Sequence, residues 1–146
     1  MDFIYLFTSF SGRINRMPYW LGILVLVIAS LVLTAGVMTT LIGGGFGLFL
    51  VIVGLFLLIY AASIPLVVKR MHDRGKSGHY AWLIYGSSIV GSFADSATRT
   101  GGEMSTAGLI ISLITIVIGL WFFIELGFFR GTPGSNAYGA DPLGAK

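Results

Sequence analysis

The side chains best suited to chemistry are crowded into one stretch, KRMHDRGKSG at 69–78. It holds His72, Asp73 and Ser77, with His79 immediately after it. It also holds Lys69, Arg70, Arg74 and Lys76, four of the nine basic residues. A histidine beside an aspartate suggests acid–base work or metal ligation. Arg-Gly-Lys-Ser at 74–77 resembles the end of a phosphate-binding loop. Dense positive charge suggests a polyanion.

None of these readings completes itself. The phosphate loop needs a glycine five residues before Gly75, where Arg70 stands, and a strand ahead of it, where an apolar run stands. His72 and His79 are separated by Gly75 and Gly78, so one helix need not present both, and a metal would have to borrow Asp73 or Glu125. No Ser-His-acid set assembles, and the absence of cysteine excludes thiolate nucleophiles and thiolate metal sites. The basic stretch lacks the aromatic platform on which bases stack. The expectation is a chain that is not an enzyme and binds no metal, cofactor or nucleic acid.

The elements that carry this stretch are apolar. Of 146 residues, 55% are hydrophobic and 10% charged, too little polar surface for a soluble domain of this size. One integral membrane domain over 1–146 is expected, all-α and polytopic: a four-helix transmembrane bundle preceded by a short interfacial helix. The spans are predicted at 18–41, 46–68, 79–97 and 107–129. The first two are uncharged and long enough to cross a core of ~30 Å. Tyr19 and Trp20 suit the headgroup level at the start of the first. The third apolar run is only 14 residues, 80–93, and crosses only by recruiting its small flanking residues or by thinning the bilayer; the competing form is a re-entrant segment. Residues 130–146 read as a turn-rich cytoplasmic tail.

Charge sets the orientation. With four spans and the N-terminus inside, Arg13, Arg16, Lys69, Arg70, Arg74, Lys76, Arg130 and Lys146 lie inside and Arg99 alone outside. Both termini are therefore expected in the cytoplasm. Glu125 is the one acid within a predicted span. An isolated carboxylate there is costly, so it should face protein or reach the interface, with Arg13, Arg16 or Arg70 as partner. A proton or ion relay is the functional alternative.

Three motifs stand in order: GRINRMPYWLG at 12–22, KRMHDRGKSG at 69–78 and FRGTPGSNAYGADPLG at 129–144. Together, over about residues 10–143, they resemble the bacterial inner-membrane family catalogued as domain of unknown function 805. His79 departs from the pattern, which usually has an aromatic there. The resemblance implies a small multi-pass protein of the bacterial cytoplasmic (inner, plasma) membrane and brings no established activity, substrate or cofactor. All three motifs fall on the cytoplasmic side of the predicted topology. Arg13, Arg16, Arg70, His72, Asp73, Arg74, Lys76, Ser77, Asn136, Tyr138 and Asp141 would gather there.

The function expected is a non-enzymatic membrane module. Its charged cluster would hold the fold, bind anionic lipid headgroups or dock a partner, an accessory subunit of a membrane complex being one form of this. A second copy or a larger membrane complex is the expected assembly, and the small-residue spacings Ser87/Gly91 and Thr115/Gly119 would permit close helix packing. The competing reading, a transporter or channel subunit, is opposed by the poverty of polar groups in the spans and by the lack of a repeat between the halves.

Overall fold

The computed structural model describes residues 2–43, 45–100 and 103–144. Lys146, counted among the inside charges, lies outside them, as do the side chains of Asp95, Arg99 and Glu103.

The chain is helical. α1 (Phe3–Thr8) starts on Asp2, whose carboxylate accepts the Tyr5 N–H. α2 (Arg16–Gly43) starts after Asn15, whose side-chain oxygen accepts the Met17 N–H at 3.0 Å. Pro18 falls in that first turn, where its missing N–H costs nothing. α3 (Phe46–Asp73) contains Pro65 in its interior. A single 3-10 turn (Gly78–Tyr80) then leads into α4 (Ala81–Thr98). β1 (Arg99–Thr100) and β2 (Glu103–Met104) form a two-residue antiparallel ladder before α5 (Thr106–Gly127). Ser105 caps α5 by accepting the Gly108 N–H.

Among the described residues three helices, α2, α3 and α5, are long and apolar enough to cross a membrane. α4 is an 18-residue helix that falls below that measure, so three of the four expected spans are found on length and composition. Its serines at 87, 88, 92 and 96 all return their hydroxyls to backbone carbonyls of the preceding turn. That device lets a polar residue sit in an apolar helix without an unpaired donor.

α2 packs along α3, and α4 along α5. The second pair approaches closely at Gly91, where an added Cβ would lie 3.0 Å from the Thr115 hydroxyl. Thr115 also donates to the Ser87 carbonyl at 3.4 Å. The small-residue spacing therefore serves contact within the chain, while Gly119 opens on nothing within 4 Å.

The main buried cluster lies at one end, with Ile52 buried apart from it near the start of α3. Leu6, Tyr19, Leu66, Met71, Phe122 and Leu126 pack together where α1, the start of α2 and the ends of α3 and α5 converge. Elsewhere large apolar side chains such as Leu31, Leu57 and Leu113 are exposed. In water this would be untenable; in hydrocarbon such faces are solvated by lipid tails, and cohesion comes from packing and polar contacts at the converging ends.

Candidate functional site

α3 does not stop where its apolar run stops. It continues through Lys69, Arg70 and Asp73, all buried, and ends in a Schellman motif. The Lys76 N–H reaches the Met71 carbonyl at 2.9 Å and the Gly75 N–H reaches His72 at 3.0 Å. Gly75 has φ +68°, the left-handed conformation that only glycine adopts cheaply. The glycine that made 74–77 resemble a phosphate loop is thus a helix stop.

Spacing on that last turn and a half sorts the charges. Arg70 and Asp73 are three apart, and they meet: an Arg70 Nη1 N–H donates to Asp73 Oδ2. The other oxygen, Oδ1, accepts from Arg13 Nε at 3.2 Å and Nη2 at 3.1 Å. Arg13 spends its remaining donors on the carbonyls of Thr132 at 2.6 Å, Gly134 at 2.7 Å and Gly139 at 3.3 Å. Arg70 donates to the Leu126 carbonyl at 2.7 Å and to Phe129. Arg16 donates to Phe128 at 3.0 Å. Two of these arginines therefore cap the final carbonyls of α5, which have no partners within the helix and carry its negative dipole end.

The tail closes over this centre. The Thr132 N–H and hydroxyl both bond the Asp73 carbonyl, at 2.8 and 3.2 Å. The Asn136 amide donates to the His72 carbonyl and to the Thr132 hydroxyl, each at 2.9 Å. The Tyr138 ring stacks on His72 with centroids 3.9 Å apart and the ring planes nearly parallel. Gly131 passes so near the Asp73 carboxylate that no side chain fits between them.

Two expectations about partners are corrected. Glu125 is buried, as its cost demands, but it pairs with Arg74 at 3.0 Å and Lys76 at 2.8 Å, not with Arg13, Arg16 or Arg70. Arg74 and Lys76 lie beyond the end of α3, on the side facing α5, whereas Arg70 is turned onto Asp73. Asp141 does lie near Arg13 and Arg130 but forms no ion pair among the described residues; its carboxylate accepts the backbone N–H groups of Gly134 at 3.0 Å and Leu143 at 2.9 Å. Those bonds, with the Leu143 N–H foremost, hold its carboxyl below the ordinary aspartate range.

Lys69 is the residue that sequence reasoning passed over. Its ammonium is fully buried and donates to the Tyr5 and Leu6 carbonyls, the latter at 2.8 Å, with the Tyr5 ring 4.3 Å away. No carboxylate pairs with it among the described residues. It straps α1 onto α3 from below.

The histidines do not form an acid–base pair. His72 Nδ1 lies 3.2 Å from the Gly12 carbonyl, and the residue borders a cleft of about 530 Å³ with Phe10, Trp82 and Tyr85. His79 Nδ1 bonds Ser77 Oγ at 2.8 Å, within one turn of chain. Ser77 also accepts the His79 N–H as the cap of the 3-10 turn. Among the described residues no group of three His, Cys, Asp or Glu is placed to hold a metal ion.

The family model described as "Protein of unknown function (DUF805)" matches residues 7–140, which include all three motifs. The chain belongs to the DUF805 family. The "Uncharacterized protein YiiR" of Escherichia coli K12 is 30% identical over 138 residues, covering 94% of this chain and 88% of the relative. The "Inner membrane protein YhaH" of the same strain is 26% identical over 140 residues, covering 93% and 88%. No solved structure matches the chain significantly. With three apolar helices of crossing length and an inner-membrane relative, this DUF805 chain is a membrane protein.

Proposed function

We propose that this DUF805 chain is a non-enzymatic, multi-pass module of the bacterial cytoplasmic membrane. α4 crosses as the fourth span, both termini face the cytoplasm, and the three motifs build one cap at that face. The observation that carries this reading is the closure of the Arg13–Asp73–Arg70 network. All five Arg13 donors end on protein acceptors, and the carboxylate between the arginines is 2% exposed. A catalytic or transport site keeps a polar group open to its substrate, whereas this network leaves none open.

The cap therefore has two parts. Inside, Arg13, Lys69, Arg70 and Asp73 hold helices and tail together. Outside, Arg16 and Arg130 are exposed and Lys76 is partly so. Exposed basic side chains at this depth gain ~1 kcal/mol each from an anionic leaflet. A rigid module held against anionic headgroups suits an accessory subunit of a larger membrane complex.

Thermal unfolding in nanodiscs tests this. Discs of phosphatidylglycerol should raise the unfolding temperature above that in phosphatidylcholine, and concentrated salt should narrow the gap. Equal stability in the two lipids would contradict the headgroup role. A solute flux or conductance in proteoliposomes would favour a transporter instead.

A further inference from the structure

We infer that the groove between the start of α2 and the end of α5 is a binding site for one anionic phospholipid, its phosphate on Arg16 and one acyl chain along Leu21 and Leu24. This rests on the proposed headgroup role and deepens it, by separating one built site from general attraction to the leaflet.

The groove holds about 460 Å³ and is lined by Arg16, Met17, Trp20, Leu21, Leu24 and Gly127. Positions 16, 20 and 24 recur every fourth residue, with 17 and 21 beside them, so they form one face of α2. Leu24 is eight residues past Arg16, ~12 Å along the axis. One end of the groove is cationic, and the face below it is apolar and exposed, with Met17 at 71% and Leu24 at 53%. That pairing of one cation with a descending apolar track complements a phospholipid, with its charge at one end and hydrocarbon at the other.

The floor is fixed in place. Trp20 donates its indole N–H to the Gly127 carbonyl at 3.1 Å, and a Cβ on Gly127 would lie 2.6 Å from the Trp20 ring. Phe123 and Phe128 meet the same ring edge-on, at 5.7 and 6.1 Å. Arg16 is held by one Nη1 bond to the Phe128 carbonyl at 3.0 Å, its sole hydrogen bond among the described residues. It is exposed, unlike Arg13 and Arg70. A guanidinium held at one corner presents its free edge to a phosphate as a fork.

The test is retention of phosphatidylglycerol by the full chain after detergent delipidation, read by native mass spectrometry with the lipid titrated back. Two variants are compared with the parent. Arg16→Gln removes the cation, and Leu24→Trp fills the lower groove while leaving Arg16 in place. The parent should hold one phosphatidylglycerol, and each variant should bind it roughly fivefold more weakly. Should Arg16→Gln fail to fold, Leu24→Trp decides alone. Parental affinity in both variants would overturn the site and leave the broader headgroup role standing. Loss in Arg16→Gln with none in Leu24→Trp would also overturn it, as charge attraction without a groove. A change of oligomeric mass in Leu24→Trp with lipid unaltered would assign the groove to a second copy. A parent that retains no lipid would overturn both readings.

Discussion

Arg13 and Asp73 lie 60 residues apart in sequence and meet through two hydrogen bonds to one carboxylate oxygen, at 3.2 and 3.1 Å. Arg70 holds the other oxygen, so one buried acid faces two buried bases. The surplus positive charge is not left bare. It lies against the carbonyls of Leu126 and Phe129 at the negative end of α5, and against the tail carbonyls of Thr132 and Gly134. A single carboxylate thereby ties the loop before α2, the end of α3 and the tail after α5.

The tail's approach to that carboxylate can be probed by one methyl group. A Cβ on Gly131 would run into the Asp73 carboxylate, which is itself held from two sides. Gly131→Ala should destabilise by ~1–3 kcal/mol, the usual cost of overpacking. Gly86→Ala, in α4 with nothing within 4 Å of the new methyl, should be neutral or stabilising by up to ~1 kcal/mol. Unfolding of the two variants in the same detergent checks the contrast, and a Gly131→Ala protein as stable as its parent would contradict the close approach.

Orientation is checked with introduced cysteines, since the chain has none of its own. Ser11 and Gly144 should react with an impermeant thiol reagent only after the cells are opened. Thr98, at the far end of α4, should react in intact cells. Labelling of Gly144 from outside with Ser11 protected would mean that α4 does not cross.

The tail's turns should respond to acid through Asp141. Its folded value lies below the ordinary 3.8, chiefly because the Leu143 N–H bonds the ionised carboxylate. A depressed value means that the ordering is complete above the unfolded value and is lost as pH falls through the folded one. Amide resonances of Gly134 and Leu143 should move together as pH falls, with a midpoint below 3.8. A midpoint at or above 3.8 would contradict the two N–H bonds.

Much of this was legible in the chain. The apolar runs marked α2, α3 and α5 within a few residues at each end, because nothing but hydrocarbon tolerates such faces. The proposed charge network of Arg70 and Asp73 with the N-terminal motif follows from three-residue spacing on a helix that continues past its apolar run. The partner of Glu125 was not legible. Choosing between Arg70 and Arg74 requires the rotation of α5 about its axis relative to α3, and a run as uniformly apolar as 107–124 carries no periodicity that reports it. Asp141 misled because a carboxylate near arginines invites ion pairing, while the tail's own orphan N–H groups were nearer. Lys69 was hidden among its basic neighbours; only burial distinguishes it.

Asp73 is the staple between Arg13 and Arg70, and Lys76 is peripheral to it. Lys76 does contact Glu125, but its side chain is 33% exposed and Arg74 shares the same carboxylate oxygen, so Lys76→Ala should cost ~0–1 kcal/mol. Asp73→Ala strands two buried guanidiniums and should cost ~3–5 kcal/mol. Thermal unfolding of the two variants beside the parent, in one detergent and at neutral pH, is the direct comparison. A large drop for Asp73→Ala with little change for Lys76→Ala is the predicted result, and equal unfolding temperatures for the two would contradict the account.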